Sequence, residues 1–466
     1  MRKNILHIVF IIVSYIFFIL PVFSDAFHMG SDNLEYSFRD YLYYSNSLRH
    51  GFGFPRWYPF DGGVPTGITN MNLLSLVPHR VLGYLLYAFL PFKPMVTYKI
   101  CIAIGTIIMG IGWWLVLYQL TKSRLSAIIG CLAMLLGGVS LINFQAEQSL
   151  ASTSYFPWIL LVLIQVKKQF SYILILAILC GFSMVIHYPN YQLLSLLLLF
   201  LSLLVSGKLN FLFTIKITKE KVFVLLLSFI LFLLAASPAY YIAEVKDDFS
   251  SYVRHREIMK PQSFEEYHAL IKNNDPITIG RLKEYLYPFN YSEAGGIGHI
   301  TLKITIVQLI LAAVGVFYYR LSIPVIVILI FSVWLSLGVN SSVPYLLYTI
   351  KFPFISYFRQ WGIFINNINL CLSFLAALGF ASLLYLSRTT VTAVCKDDNY
   401  HRLYNNLLAG VLSIIVVIPL FYGSKVNLNI FMKHFPGLID LRDIPRFDKV
   451  QFVEKKVYDF AKSNEK

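Results

Sequence analysis

The sequence predicts an all-α polytopic integral membrane protein, and three observations lead to this fold class. The chain of 466 residues is 57% hydrophobic and only 14% charged, and its mean hydropathy is +0.65, which is more apolar than a soluble domain. Apolar runs of the length needed to cross a bilayer, about 20 residues, recur along the chain. Lys and Arg recur in the short segments that separate these runs.

Eleven apolar runs qualify as transmembrane helices. A further stretch, residues 72–91, carries Pro78, His79 and Arg80 near its start and Pro91 at its end. It either spans the bilayer or lies along its surface. The eleven runs are residues 4–23, 97–120, 124–143, 151–166, 170–187, 190–206, 221–243, 302–318, 322–339, 362–386 and 406–423.

The basic residues decide between these readings of residues 72–91. If this stretch does not span and the N-terminus is cytoplasmic, the short basic loops all lie inside, as the positive-inside rule expects. We therefore predict eleven spans, with residues 72–91 as an interfacial or re-entrant segment on the outer side. The basic loop residues are Lys122, Arg124, Lys167, Lys168, Lys208, Lys216, Lys219, Arg320, Arg388, Lys396 and Arg402.

The N-terminus fits the same topology. Met1, Arg2 and Lys3 precede the first apolar run as they would in a signal peptide, but the run is long and no small-x-small cleavage site follows it. We expect a retained signal-anchor helix.

This topology divides the chain into two parts. Residues 1–423 form the transmembrane domain, and residues 424–466 form a charged extracytoplasmic tail. The outer face of the domain carries a first loop at 24–96, a second at 244–301 and a segment at 340–361. We expect short helices within these loops, and we expect function on this face because the inner loops are short and basic.

Charge and cysteine content exclude other classes. The formal net charge of +15 is spread among loops instead of forming one basic module, so it reflects topology and not nucleic-acid binding. The five cysteines show no CxxC pair and no Cys/His cluster with metal-ligand spacing.

The first outer loop is the most distinctive segment. Asp32 lies about eight residues beyond the first apolar run, near the membrane surface, where a carboxylate is costly unless it has a partner or a role. Glu35 and Arg39 form an i,i+4 pair that is also typical of a solvated helix face. Beyond them, residues 51–65 are rich in Gly, Pro and Trp, which predicts tight turns instead of helix.

The order of these motifs resembles a known family. An acidic residue after the first span, then Gly53, Pro55 and Trp57, and then Gly63 and Pro65, looks like the first loop of GT-C superfold glycosyltransferases, and is most similar to the bacterial YfhO-like membrane proteins. The matching motifs cover most of residues 1–390. The others are Glu147 followed by Pro157-Trp158, His187-Tyr188-Pro189, Gly295-Gly296-Ile297-Gly298, and Pro353 with Phe358-Arg359 before Ala376-Ala377-Leu378-Gly379.

The resemblance implies a membrane glycosyltransferase in the bacterial cytoplasmic membrane. It would move a sugar from a polyprenyl-phosphate-linked donor to a glycan, lipid or polymer acceptor of the cell envelope, on the extracytoplasmic face, and invert the anomeric centre. Asp32 matches the family's acidic position and would be the general base. Arg359, with Arg254 and Arg256 behind it, would stabilise the departing lipid phosphate.

Four further residues are candidate substrate contacts: Glu35, Trp57, Glu147 and His187. Asp32 and Glu147 are also candidate ligands for a divalent cation, Mg or Mn, since hard metals prefer carboxylate oxygens. Structural roles compete with these assignments. Arg359 also fits an interfacial anchor beside Trp361, Arg254 and Arg256 a solvated basic patch, and His187 a buried helix-end histidine.

Three other functions are compatible with the sequence. An O-antigen ligase or polymerase uses the same class of donor, but its large loop would lie late in the chain. A polysaccharide or lipid transporter should carry ionisable residues along its spans, and the apolar runs here are almost free of charge. A non-catalytic membrane scaffold is the third alternative.

Overall fold

A computed structural model describes the following parts of the chain, to which all structural statements below refer. They are residues 2–24, 38–51, 57–58, 64–65, 78–90, 92–144, 147–166, 168–184, 189–206, 218–249, 263–272, 278–286, 304–317, 319–352, 355, 361–394 and 398–434.

The described chain is helical apart from one short pair of strands. Strands β1 (Trp57–Tyr58) and β2 (Val64–Pro65) pair antiparallel within the turn-rich part of the first loop, with Trp57 opposite Pro65. The helices are α1 (Arg2–Ile19), α2 (Phe38–Arg49), α3 (Pro78–Phe89), α4 (Pro94–Thr121), α5 (Arg124–Leu135), α6 (Gly138–Asn143), α7 (Glu147–Ser154), α8 (Phe156–Val166), α9 (Tyr172–Met184), α10 (Pro189–Val205), α11 (Lys219–Phe249), α12 (Phe264–Lys272), α13 (Ile279–Leu286), α14 (Ile306–Val316), α15 (Tyr319–Ser336), α16 (Val343–Thr349), α17 (Ile365–Val394) and α18 (Asp398–His434). Short 3-10 helices cover Leu20–Phe23, Gly338–Asn340 and Trp361–Phe364.

Helix length and composition support a multi-pass membrane protein. Five described helices are long and apolar enough to span a membrane: Asn4–Phe23, Pro94–Thr121, Lys219–Ser237, Trp361–Thr390 and Leu403–Asn429. Six shorter apolar helices, of 10–17 residues, accompany them at Arg124–Leu135, Phe156–Val166, Tyr172–Met184, Tyr191–Val205, Ile306–Val316 and Leu321–Ser336. The predicted polytopic class is thus supported, whereas helix length does not establish the predicted count of eleven.

Contacts along α4 give the directions of its neighbours. Helix α1 runs antiparallel to α4, because the Lys99 ammonium contacts the Ser24 carbonyl and the His7 ring lies 6.5 Å from Trp114. Helix α8 runs parallel to α4, because Gly112 faces Pro157 and Gln165 donates to Gln119 at 3.3 Å. Helix α5 is antiparallel to α4, because Gly110 faces Leu135 and Gly130 faces Leu117. Helix α17 is antiparallel to α5, because Gly137 faces Asn369 and Gly130 faces Ala377, so α17 is parallel to α4.

Small residues allow α14 and α17 to approach closely. A β-carbon on Gly315 would overlap the backbone of Leu375, and one on Gly379 would overlap the backbone of Leu311. Membrane helices lack a hydrophobic drive to associate, so glycine at the contact, which lets the backbones touch, is a common device. Helix α17 is largely buried, whereas α14 buries only the face that carries Gln308, Leu311, Ala312 and Gly315.

Two predicted spans differ from the observed helices for local reasons. The run 124–143 breaks after Leu135, where a turn at Leu136 and Gly137 ends α5 before α6 begins. The run 151–166 breaks at Tyr155, because Pro157 lacks the N–H that a continuous helix would use and is accommodated in the first turn of α8.

Residues 72–91 were predicted to be an interfacial or re-entrant segment. Its described part is α3, whose 12 residues extend about 18 Å, less than the roughly 30 Å of hydrocarbon core. Helix α3 packs on α2 and α4. The last described helix, α18, reaches His434, so most of the predicted tail lies outside the described residues.

Candidate functional site

A buried carboxylate with four donors lies where α3, α4 and α7 meet. Arg80 donates from Nε to Glu147 Oε1 and from Nη2 to Oε2, both at 2.7 Å. The Tyr98 hydroxyl donates to Oε2 at 2.6 Å. His79 Nε2 lies 2.9 Å from Oε1, which requires the Nε2–H tautomer if the carboxylate is ionised. We call these four residues the Glu147 cluster.

Local sequence places each member of this cluster. His79 and Arg80 follow Pro78 in the first turn of α3, and Tyr98 lies in the first turns of α4 after Pro94. Glu147 is the first residue of α7, where the positive end of the helix dipole favours a negative side chain. Three helix starts therefore converge on one carboxylate.

The cluster is cut off from water but is electrostatically balanced. Arg80 and Glu147 are both fully buried. Burial alone would raise the pKa of Glu147, but the charge of Arg80 and the hydrogen bonds from His79 and Arg80 lower the pKa to about 2. Glu147 precedes the predicted span 151–166, and its carboxylate stays ionised at neutral pH.

This arrangement gives Glu147 an anchoring role. Both of its oxygens are engaged, and a guanidinium already compensates their charge at 2.7 Å, so the carboxylate is not arranged as a ligand for a cation. It ties the end of the first loop to the bundle. Among the described residues, no group of three or more His, Cys, Asp or Glu has the geometry of a metal site.

Tyrosine rings in tilted contact extend this anchor to α2. The rings of Tyr41 and Tyr98 are 5.1 Å apart, and those of Tyr41 and Tyr84 are 5.4 Å apart. The Tyr41 hydroxyl donates to the Gly83 carbonyl at 2.9 Å. These contacts hold α2 and α3, the two described helices of the first loop, against the start of α4.

Two further buried polar groups join other helix starts. Tyr191 on α10 donates to Asn367 Oδ1 at 2.5 Å, and Asn367 Nδ2 donates to Ser195 at 2.9 Å. Gln308 on α14 donates to Asn369 and Ser373 of α17, at 3.1 Å and 2.9 Å. Uncharged polar side chains commonly join helices in this way within membranes.

Two ends of the bundle differ in chemistry. The Tyr191 and Gln308 groups lie near its middle, because Asn369 faces Gly137, and Leu135 faces Gly110 near the middle of α4. The Glu147 cluster lies at the starts of α3, α4 and α7, which we call the polar end. The first loop, residues 24–96, reaches α4 at this end. At the other end, where α4 and α8 finish, Lys122 and Lys168 follow in exposed positions, and we call this the basic end.

Most of the sequence-predicted site residues lie outside the described residues. This applies to Asp32, Glu35, His187, Arg254, Arg256 and Arg359. Trp57 lies in β1, and the structure describes its backbone only. Glu147 is the one predicted site residue with described side-chain contacts, so the joint arrangement of the proposed catalytic residues remains a prediction.

Sequence reasoning missed the partners of Glu147. In the sequence, His79 and Arg80 stand out only as an irregularity in the run 72–91, and no motif marks Tyr98 or Asn367. The signal was present for Arg80, because an arginine within an apolar segment needs a buried counter-charge. Without helix directions, nothing pointed to Glu147 as that partner.

Comparison with known proteins yields a distant structural likeness. No protein-family model and no curated protein matches the chain, so the YfhO-like resemblance stays a prediction. The chain is similar to the archaeal oligosaccharyltransferase AglB from Archaeoglobus fulgidus in complex with an inhibitory peptide and a dolichol-phosphate, with 14% identity and a TM-score of 0.49 over 97% of this chain and 59% of that chain. The apo form of the Archaeoglobus fulgidus oligosaccharyltransferase gives 13% identity and a TM-score of 0.48 over 96% and 59%. This chain thus spans 59% of the length of these proteins.

Proposed function

We propose that this chain is a GT-C-type membrane glycosyltransferase that moves a sugar from a polyprenyl-phosphate-linked donor to an acceptor of the cell envelope. The observation that carries the proposal is the polar end of the bundle. The buried side chains of the Glu147 cluster meet where the first loop joins the bundle, and this is the loop that carries the GT-C-like motifs Asp32, Gly53-Pro55-Trp57 and Gly63-Pro65. A rigid base of this kind is what a catalytic loop requires.

The proposed topology has eleven spans in the bacterial cytoplasmic membrane, with the N-terminus cytoplasmic and the polar end extracytoplasmic. Three features support it. The five long and six shorter apolar helices match the eleven predicted runs in order, and α1 runs antiparallel to α4 as a signal-anchor helix should. Basic residues at the opposite end agree with the positive-inside rule.

The chemistry would use residues of the outer loops. Asp32 takes the proton of the acceptor hydroxyl as that oxygen attacks the anomeric carbon from the face opposite the phosphate. The bond from the anomeric carbon to the phosphate oxygen breaks, and Arg359 stabilises the charge that develops there, with Arg254 and Arg256 as further cations. One displacement of this kind inverts the anomeric centre.

The remaining candidates would bind substrate around this centre. Trp57 offers an aromatic face to a sugar ring, and Glu35 and His187 offer hydrogen bonds to its hydroxyls. A divalent cation, Mg or Mn, would bind the donor phosphate next to Asp32. Glu147 holds the first loop on the bundle through its contact with Arg80, and it does not contact the substrate in this proposal.

The test is a transfer assay with separate Asp32→Asn and Arg359→Ala variants. The donor class is first identified from the envelope glycan that is lost when the gene is deleted, and the labelled polyprenyl-phosphate sugar is then supplied to purified enzyme. Loss of the general base should lower the rate by about 10²–10⁴-fold, and loss of the arginine by about 10²–10³-fold. Glu220→Gln, an exposed carboxylate on α11, is the control and should keep full activity. Full activity in both site variants would refute the mechanism.

A further inference from the structure

An apolar groove lies within the bundle, away from the Glu147 cluster. Its cavity volume is about 300 Å³, it is half-open, and nearly all of its lining side chains are apolar. Helices α4, α8, α10, α15 and α17 each contribute residues. On α8, α10, α15 and α17 these follow helical spacing, such as Ser195, Leu199 and Leu203 on α10, so each helix presents one continuous face.

The groove runs from the middle of the bundle to its basic end. Trp113 and Asn367 line its inner part, whereas Leu120 and Ile164 line the part near the ends of α4 and α8. The eight-residue separation of Ser195 and Leu203 corresponds to about 12 Å along a helix. That length is most of one leaflet of a hydrocarbon core about 30 Å thick.

The rim at the basic end is cationic. Lys122 follows the lining residue Leu120 by two residues, and Lys168 follows Ile164 by four. Both lysines are exposed, and the hydrogen bond between Gln119 and Gln165 holds the two helix ends together. Neither connecting turn, 119–124 or 164–171, contains Asp or Glu.

The inner end of the groove offers little to a charged group. Its polar side chains, Asn367 and Ser195, are already hydrogen-bonded to each other, and Asn367 also accepts from Tyr191. A ligand of this groove therefore inserts an uncharged hydrocarbon end towards Trp113 and keeps any negative charge at the lysine rim.

We propose that the groove binds one acyl chain of an anionic phospholipid from the leaflet at the basic end, with the lipid phosphate at Lys122 and Lys168. The cationic rim beside an apolar slot of one-leaflet length is complementary to this class of lipid and to its orientation. The inference does not depend on the glycosyltransferase proposal, because the groove ends at the face opposite the polar end.

Quenching of Trp113 fluorescence tests this proposal on the full-length protein in detergent. The probe is phosphatidylglycerol that carries a nitroxide spin label in the middle of one acyl chain, and phosphatidylcholine with the same labelled chain is the neutral comparison. The Trp113→Phe variant isolates the signal of Trp113. We expect saturable quenching, with phosphatidylglycerol bound more tightly than phosphatidylcholine by about fivefold for each rim lysine.

Variants separate the rim from the groove. The Lys122→Gln/Lys168→Gln double variant should lose the preference for phosphatidylglycerol and leave phosphatidylcholine binding unchanged. Lys93→Gln/Lys351→Gln, two exposed lysines that precede α4 and follow α16 and do not line the groove, is the matched control and should keep the preference. Leu199→Phe, which adds bulk to the groove without adding a tryptophan, should weaken quenching by both lipids, and its melting temperature reports whether it folds.

Two outcomes would overturn the proposal. One is that both phospholipids bind equally well to the wild-type protein and equally well to the rim double variant. Because the rim double variant carries only exposed substitutions, this outcome does not depend on whether the groove-filling variant folds. The other is displacement of the labelled phosphatidylglycerol by a lower concentration of polyprenyl phosphate than of unlabelled phosphatidylglycerol, which would assign the groove to a prenyl chain.

Discussion

At the residue scale, the Glu147 cluster illustrates how a membrane protein holds a full charge inside. A buried ion pair gains little net stability over apolar residues, but losing one partner leaves an uncompensated charge in a low dielectric. Here Arg80 and Glu147 are both fully buried, and their bidentate contact is completed by His79 and Tyr98. The cluster therefore acts less as a source of stability than as a condition for docking α3 and α7 on α4.

Glu147→Gln tests this condition. Glutamine keeps the shape but loses the charge, and its NH₂ group would face the N–H donors of Arg80. Stability should fall by roughly 3–5 kcal/mol, measured as the midpoint of denaturant unfolding in detergent, whereas Glu220→Gln should leave the midpoint unchanged. Replacing both partners, as Arg80→Met/Glu147→Leu, should recover much of the loss. Equal midpoints for Glu147→Gln and wild type would remove the argument for an anchor.

The lowered pKa of Glu147 leads us to expect that the stability of the folded protein depends on pH. The pKa of Glu147 is lowered from an ordinary value of 4.5 to about 2 in the folded protein, so its ionised form contributes stability that is complete above pH 4.5 and is lost as the pH falls towards 2. The difference in unfolding midpoint between wild type and Glu147→Gln should stay constant above about pH 5 and shrink below it. A difference that shrinks between about pH 8 and pH 6 would show that the pKa is not lowered.

At the scale of elements, the contact of α14 with α17 depends on two glycines. Gly315→Ala or Gly379→Ala places a methyl group into the opposing backbone, so the helices must separate and lose the hydrogen bonds of Gln308 to Asn369 and Ser373. We expect each variant to lose about 1–3 kcal/mol of stability, as overpacked cores do, measured by thermal unfolding in detergent.

Gly410→Ala is the matched control for this contact. Gly410 lies within α18, and a β-carbon there meets no atom within 4 Å. Alanine is the better helix former by up to about 1 kcal/mol, so this variant should be neutral or slightly stabilising. If Gly315→Ala lowers the stability no more than Gly410→Ala does, the inferred close approach of α14 and α17 is wrong.

Sequence predicted these elements to different degrees. Hydropathy finds the apolar runs because each must satisfy its backbone internally, and a described helix occupies at least part of every run. Hydropathy does not find the breaks at Gly137 and Tyr155, which depend on local turn chemistry. It also does not find the pairing of Arg80 with Glu147, because these residues are 67 positions apart and meet only once helix directions are fixed.

At the scale of the whole molecule, the bundle has two chemically different ends. The buried Glu147 cluster lies at the end that carries the first loop, and the exposed Lys122 and Lys168 lie at the other end. This polarity gives the chain one proposed face for sugar transfer and another for anionic lipid. The apolar groove reaches the second face and stops near the middle of the bundle.

The orientation of these ends is open to a direct test in cells. Asp61→Cys, in the first loop, and Lys168→Cys, at the basic end, are prepared separately in a chain that also carries Cys395→Ser; three other cysteines, Cys101, Cys131 and Cys371, are buried. The positive-inside rule places lysine-bearing turns in the cytoplasm, so an impermeant maleimide added to intact cells should label position 61 and not position 168. Permeabilised cells should give label at both positions, which controls for reactivity. Labelling of position 168 alone in intact cells would show the opposite membrane orientation. Asp32 would then lie on the cytoplasmic side, where a donor in the outer leaflet could not reach it.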